Sequence, residues 1–431
     1  MKITILSTNY GTNIGGAEVS TKLFVDELLK KGLDISIVTG NYTIEQQNGV
    51  KIFKIPFLKY FPKSFLVFDL WIIDLIIYLQ IKNILMITKP DILHIQDFDL
   101  SYSAIKAAKA LEIKTLITVR DHRFLCTLPL FDKHGDPVTN YSKSDYIAKL
   151  RQLSIQRYNI DISYIIYHFI KNKHFKFRYV LKNVDIVVPV SLYMGVLVKR
   201  IDISEQKIKP IYNLAPPLQL TFKDSDIKNA FKSSNVIKPN NFIIFALGRL
   251  EEYKGFQVLI RSFVSLYKNE KNIAKCRSSP FSSLYLKIAG DGTYANELKK
   301  LVNKLRLSNR IIFLGRLPID RIYKEYFKSD IVILPSLWSE PLSRVVWESF
   351  SAGKPLIATS VGGTSEIVKN LKTGILVKPN LPNDLAKAIM GLANNKKLQN
   401  TITANARKYI MRHNKIQIKK YLELYKSMCQ R

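Results

Sequence analysis

Acidic residues are scarce in this chain of 431: 34 Asp and Glu stand against 66 Lys and Arg, a formal net charge of +32. The imbalance favours anionic partners, whether nucleic acid, an anionic membrane surface or phosphorylated substrates. It runs along the whole chain, and no RNP, helix-turn-helix or zinc-finger pattern accompanies it, so specific nucleic-acid reading is not expected. Cysteine is scarcer still. Cys126, Cys276 and Cys429 are far apart, odd in number and form no CxxC pair. That excludes a disulfide framework and a Cys-rich zinc site, and a reducing, cytoplasmic setting is expected. Six scattered histidines with no HExxH argue against a helical zinc site. The start, MKITILSTNYG, is too short for a signal-peptide core. The most apolar stretch, residues 64–81, carries Asp69 and Asp74. Two carboxylates at mid-membrane cost about 2.5–3.5 kcal/mol each, so this reads as a buried helix and not as a span.

What the chain does have is alternation. Short β-branched runs at 2–8, 34–40, 50–56, 91–97, 115–121 and 185–191 are separated by helical spacing, as at 17–31, 64–88 and 101–111. In the helix at 17–31, Val19, Leu23, Phe24, Leu28 and Leu29 form one stripe and Gly32 ends it. A Pro-, Ser-, Asn- and Lys-rich segment follows, and then six more runs at 241–248, 284–290, 310–315, 330–336, 355–360 and 374–379. Strand–helix alternation with buried strands predicts parallel α/β sheets. The expected architecture is two doubly wound Rossmann-like domains facing a central cleft. Their predicted limits are 1–214, a connection at 215–240, a second domain at 241–405 and a helical tail at 406–431 that packs back on the first domain. A break in the final helical region is expected near Arg412–Asn414.

Three motifs carry chemistry. GTNIGGAEVS (11–20) follows the first strand, where Gly15 and Gly16 let backbone N–H groups approach an anion at a helix start. It is neither GxGxxG nor a Walker A, and a tight strand-to-helix turn explains the same glycines. GRLEEYKGF (248–256) follows the first strand of the second series. There Gly248, Arg249 and Lys254 occupy the end of the sheet where ligands bind, and a guanidinium fork with an ammonium suits a diphosphate. Read alone, they are two loop charges. The third, PSLWSEPLSRVVWESFSAGKP (335–355), places Glu340 and Glu348 eight residues apart. A helix starting near Leu342–Ser343 leaves Glu340 in the loop and Glu348 in the second turn, with the amides of Leu342, Ser343 and Arg344 facing any phosphate. Carboxylates can accept hydrogen bonds from sugar hydroxyls.

The Glu-x7-Glu segment, the Gly-Arg-x4-Lys-Gly turn and GGAE together resemble the retaining glycosyltransferases of family 4, which have the GT-B fold. IAGDGTYANEL (288–298), FLGRLP (313–318), SDIVILPS (329–336) and VGGTSEIV (361–368) resemble successive signatures of that family's second domain. DILHIQD, TVRDHRFLC and the Asn of IYNLAP resemble signatures of its first domain and hinge, so the likeness spans nearly the whole chain. The resemblance implies that Arg249 and Lys254 hold the donor diphosphate, Glu348 binds the ribose, Glu340 holds the transferred sugar, and Arg316 with Leu317 borders the base. It implies contacts to phosphate or sugar from the backbone of Gly16 and of Leu342–Arg344. It also implies a nucleotide diphosphate sugar as co-substrate, a glycan or lipid-linked acceptor, and no cofactor and no metal, because cationic side chains and helix ends supply the charge.

The chain departs from the family pattern twice. Arg120-Asp121-His122 stands where His-Asp is common, so the role of the family histidine falls to Arg120 or to His122 and the sequence leaves both open. Ser343 replaces a common glycine, either altering sugar selectivity or serving as a helix N-cap. Two other readings share the architecture: a nucleotide-sugar 2-epimerase and a non-catalytic scaffold. Finally, residues 141–184 carry nine Lys or Arg, two Asp and many aromatics, and residues 56–65 have the same mix. That composition suits an anionic membrane surface on the cytoplasmic face as well as it suits a solvated helix.

Overall fold

In the computed structural model the described residues are 1–11, 15–40, 49–55, 71–123, 151, 175–217, 241–268 and 283–430. They form two compact units: Met1–Leu214 with Gln417–Arg431, and Ala215–Ile416.

The first unit holds a six-stranded parallel sheet in the order β3-β2-β1-β4-β5-β6. Its strands are β1 (Lys2–Leu6), β2 (Asp34–Thr39), β3 (Val50–Lys54), β4 (Ile92–Ile95), β5 (Lys114–Val119) and β6 (Ile186–Pro189). The second unit repeats the plan as β12-β11-β10-β7-β8-β9. These are β7 (Phe242–Leu247), β8 (Leu284–Ala289), β9 (Ile311–Gly315), β10 (Ile331–Leu334), β11 (Leu356–Thr359) and β12 (Ile375–Val377). Eleven lie wholly within the expected runs, and β5 starts one residue before its run, at Lys114. Each sheet starts in the middle and reverses direction once, between β1 and β4 and between β7 and β10. At such a reversal neighbouring loops part above the strand ends and leave room for a ligand.

The strands are apolar along their length because helices cover both faces. Ile3, Ile5, Ile35, Ile37, Ile92, Leu116 and Val188 form the core of the first unit, and Ile244, Leu286, Ile331 and Ile357 that of the second. Between β1 and β2 the helix Gly16–Leu29 buries Phe24, Val25 and Leu28. Val19, Leu23 and Leu29 of its predicted stripe are only half-buried, so the packed face is rotated slightly from that stripe. Gly32 turns the chain at φ 73°.

Two expectations change. The helix at Trp71–Thr88 is not wholly buried: Ile72, Leu75 and Leu79 point outward, each more than half exposed. Among the described residues no helix is long and apolar enough to cross a membrane. The final region breaks at Asn394–Asn395 and not near Arg412–Asn414, because Lys396–Cys429 is one continuous helix. The residues that looked like breakers make tertiary contacts instead. His413 packs 4.2 Å from the Trp347 ring, and the Asn414 amide accepts from the Ala215 N–H at 2.9 Å and donates to its carbonyl at 2.8 Å. The end of that helix lies in the first unit, where Ile418, Tyr421, Tyr425 and Met428 join the sheet's core.

Candidate active site

A dense polar arrangement of the second unit sits where its sheet reverses. Directly after β7, Gly248–Leu250 leads into a short 3₁₀ turn, Glu252–Lys254, ended by Gly255 at φ 74°. Directly after β10 comes the loop Pro335–Ser343. A Cβ on Gly255 would stand 1.9 Å from the Pro335 carbonyl oxygen, so only glycine allows these two backbones to touch. The Tyr253 carbonyl then accepts from the Leu337 amide at 2.9 Å and the Trp338 amide at 3.3 Å. A third loop, after β11, joins them: the Gly363 amide donates to the Glu340 carbonyl at 2.8 Å, and a Cβ on Gly362 would meet the same oxygen at 2.3 Å.

This stitching sets Lys254 against Glu340, with Nζ 2.7 Å from Oε1. The Ser336 hydroxyl donates to the same oxygen at 2.6 Å, and the Lys254 ammonium lies 4.7 Å above the Trp338 ring. Burial pushes the Glu340 carboxyl up. The ammonium and the hydrogen bonds from Lys254, Ser336 and Trp338 outweigh it, leaving the carboxyl below its ordinary value. Arg249 stands beside the pair, its Nη2 donating to the Tyr253 hydroxyl at 2.7 Å.

The helix Arg344–Ser351 begins after Ser343, which occupies the N-cap position with extended backbone and makes no side-chain capping bond. Leu342 and Ser343 are buried and precede the first turn. Glu348 is in the second turn as expected, but it is already engaged. Arg344 donates to Oε1 from Nε at 3.1 Å and Nη2 at 2.9 Å, and the buried Tyr326 hydroxyl donates to Oε2 at 3.0 Å. Burial and the Glu348 charge hold that phenol well above its ordinary pKa. A carboxylate has about four acceptor positions, so three donors leave about one. Arg316 and Leu317 follow β9, at the sheet edge, and Gly248 uses its amide for the Ala289 carbonyl at 3.1 Å.

In the first unit the expected residues also collect at the strand ends. Gly15 is the extended N-cap of Gly16–Leu29, with Gly16 its first residue. Arg120, after β5, points its Nη1 at the Ala17 carbonyl (2.9 Å) and the Thr21 hydroxyl (2.7 Å) of that helix, and its Nη2 at Gln96 Oε1. His122 is buried, its ring centroid 6.0 Å from that of Tyr193. An Asp-x-Asp triplet, Asp97-Phe98-Asp99, was not among the expected site residues. Asp97 accepts from the Thr8 amide and hydroxyl at 2.7 Å each, and Asp99 pairs with Arg123 at 2.9 Å. Burial, then the Asp99 charge, pushes the Asp97 carboxyl up to about 6.

Other contributors escaped motif reading. Ser336, Trp338 and Tyr253 position Glu340, Lys254 and Arg249, and Tyr326 reaches Glu348 from another helix. Ser336 and Trp338 lie four and two residues before Glu340, so their proximity was a usable signal; Tyr326 offered none.

With this geometry in place, comparison with known proteins decides the family. Residues 14–216 match the profile of Glycosyltransferase Family 4 and residues 227–409 that of Glycosyl transferases group 1. The chain belongs to the group 1 glycosyltransferases of family 4 type. A putative glycosyltransferase of Bacillus subtilis (strain 168) is 31% identical over 238 residues, covering 54% of this chain and 57% of that protein. An uncharacterized glycosyltransferase of Methanocaldococcus jannaschii is 24% identical over 95% of this chain and 93% of its own length. Among solved structures, HepE of Anabaena in complex with UDP and glucose aligns with a TM-score of 0.69 at 19% identity, over 99% of this chain and 100% of that one. A glycosyltransferase of Rickettsia africae aligns at 0.69 and 22% identity, over 99% and 98% of the two chains. These likenesses place the fold in the GT-B class.

Proposed function

We propose that this protein transfers a sugar from a nucleotide diphosphate sugar to a sugar or lipid-linked glycan acceptor, retaining the anomeric configuration, in the synthesis of a polysaccharide or glycolipid. The reading rests on the Lys254–Glu340 pair at the reversal of the second sheet, with Arg249 beside it. A diphosphate arriving there competes with Glu340 for the Lys254 ammonium. Lys254 and Arg249 then neutralise the leaving nucleotide, and Glu340, released from its ion pair, accepts from hydroxyls of the transferred sugar. Glu348 takes one ribose hydroxyl at its remaining acceptor position. The backbone of Gly15 and Gly16 and the side chain of Arg120 or His122 take the role that the family resemblance implies, a contact to phosphate or sugar. The acceptor hydroxyl attacks on the face the nucleotide leaves, and the leaving phosphate takes its proton. Fixed cations aimed at developing charge supply the main stabilisation, and no metal is needed. The bound UDP and glucose of HepE support a nucleotide-sugar donor for this chain too. Peripheral association with the inner face of an anionic membrane belongs to the same reading, supported by the +32 charge and the outward row Ile72, Leu75 and Leu79.

The test is incubation with UDP-, GDP- and ADP-sugars and glycan acceptors, with and without EDTA. Release of nucleoside diphosphate, a new glycoside of the donor's anomeric configuration and indifference to EDTA are expected. An isomerised nucleotide sugar with no glycoside marks an epimerase, and loss of activity with EDTA removes the metal-free mechanism. No turnover with any donor favours a scaffold.

A further inference from the structure

Beyond Arg120, the core of the first unit contains a line of polar side chains that the transfer chemistry does not itself use. It starts at Arg120, whose Nη2 donates to Gln96 Oε1. Gln96 Nε2 is 2.9 Å from His94 Nε2, and His94 Nδ1 is 2.6 Å from the Tyr425 hydroxyl. The Thr118 hydroxyl stands 2.7 Å from the same His94 Nε2. Gln96, His94, Thr118 and Tyr425 are all buried, His94 and Tyr425 with no exposed surface. Tyr425 belongs to the helix Lys396–Cys429 and lies 331 residues from His94 in sequence.

The direction of the line follows from one residue. A guanidinium can only donate, so Gln96 must present its oxygen to Arg120 and its amide to His94. His94 Nε2 therefore accepts, the ring proton sits on Nδ1, and Nδ1 donates to Tyr425. Burial, and then the Arg120 charge, holds the imidazole well below its ordinary pKa, so it stays neutral and the direction does not reverse. At the other end Arg120 grips the first turns of Gly16–Leu29 through Ala17 and Thr21.

We propose that His94 and Gln96 are positioning residues: a one-way chain of hydrogen bonds carries the docking of the C-terminal helix, at Tyr425, to Arg120 and to the helix start at Gly15–Gly16. Its effect on turnover rests on the reading that Arg120 and this helix start face the transferred sugar. Removing the Tyr425 hydroxyl leaves a buried imidazole N–H with no acceptor. The ring then turns or changes tautomer, and Gln96 loses its fixed orientation toward Arg120.

The experiment uses the full chain and the variants Tyr425→Phe and Gln96→Leu. Nitrogen-15 NMR of His94 in the wild type is expected to show the Nδ1–H tautomer with no titration between about pH 5 and 9. An Nε2–H ring, or a midpoint in that range, overturns the proposal. Hydrogen exchange of the amides at 16–21 in Tyr425→Phe should accelerate about tenfold while those of β1 stay within about twofold. No change at 16–21, or equal acceleration in both, overturns it. With the best donor, kcat of Tyr425→Phe should fall about tenfold at unchanged KM for the nucleotide sugar, and the double variant should be no slower than Gln96→Leu. Losses that multiply, or that fall on KM, overturn it. If the wild type turns over no nucleotide sugar, the transferase reading fails by itself, and the tautomer and exchange results still decide the relay.

Discussion

Lys254 Nζ lies 2.7 Å from Glu340 Oε1 although 86 residues separate the two in the chain. The lysine side chain is 16% exposed and the glutamate 5%, so neither partner is well solvated. Removing one member of such a pair leaves the other charged and desolvated, a loss larger than the net worth of the pair itself.

The two cations should therefore respond differently to truncation. Lys254→Ala is expected to destabilise the second unit by about 3–5 kcal/mol in addition to weakening nucleotide binding. Arg249, which donates to the Tyr253 hydroxyl, should be removable at a cost of about 1 kcal/mol, with the nucleoside diphosphate Kd rising about tenfold. Urea denaturation and calorimetric titration with UDP, GDP and ADP separate the two effects. Wild-type affinity in Arg249→Ala for all three nucleotides sinks the placement of the diphosphate.

Glu340→Gln should lose turnover by more than about tenfold while keeping most nucleotide affinity, and Glu348→Ala should do the reverse. Glu348→Ala also leaves the buried Tyr326 hydroxyl without its Glu348 acceptor and removes one acceptor of Arg344, so it should lower stability by about 1–3 kcal/mol. Kinetics with nucleotide titration checks both. Normal nucleotide binding in Glu348→Ala together with its loss in Glu340→Gln means that the roles are exchanged.

The Glu340 carboxyl also predicts a pH dependence. Its folded pKa lies below its unfolded one. It therefore contributes stability above the unfolded value, and that contribution is lost as pH falls through the folded value. The stability difference between wild type and Glu340→Gln should be largest near neutral pH and should shrink below about pH 4.5. A difference that grows on acidification contradicts the sign.

Gly255 and Gly32 have nearly the same φ, 74° and 73°, but different surroundings. A Cβ on Gly32 meets nothing within 4 Å, whereas one on Gly255 meets the Pro335 carbonyl at 1.9 Å. Gly32→Ala should cost about 1 kcal/mol, the left-handed penalty alone. Gly255→Ala should cost more than about 2 kcal/mol and also reduce nucleotide affinity, because the Lys254 turn must move away from the Glu340 loop. Equal Tm changes in the two variants mean that the close approach is unimportant.

Binding to anionic vesicles should weaken with added salt and with Ile72→Glu/Leu79→Glu, and neutral vesicles should bind little. Co-sedimentation with vesicles of graded phosphatidylglycerol content measures it. Equal binding to neutral and anionic vesicles, or none to either, sinks the membrane reading. Of the two basic–aromatic stretches, residues 56–65 lie outside the described residues, as do those of 141–184 apart from 151 and 175–184.

All twelve strands were legible as β-branched runs, because a strand covered on both faces must be apolar throughout. Arg249, Lys254, Glu340 and Glu348 were legible because ligands at an open α/β sheet meet the loops just past the strand ends, and those loops are contiguous in sequence. The break expected near Arg412–Asn414 was misplaced for the opposite reason. His413 and Asn414 are weak helix formers in isolation, but Trp347 and the Ala215 backbone hold them in a helix that local propensity does not favour.

The sequence by itself determined the two sheets, their alternation with helices and the identity of the charged groups at their ends, since each depends on neighbours within about ten residues. Only the tertiary structure decided how those groups are paired. Lys254 is committed to Glu340, Glu348 to Arg344 and Tyr326, Arg120 to Gln96 and the helix Gly16–Leu29, and His94 to Tyr425 at the far end of the chain. Most of these contacts join residues 22 to 331 positions apart. Hydrogen-bond geometry and burial act over a few ångströms of space, and which residues come that close is fixed by the order of strands in the sheet and by the course of the last helix.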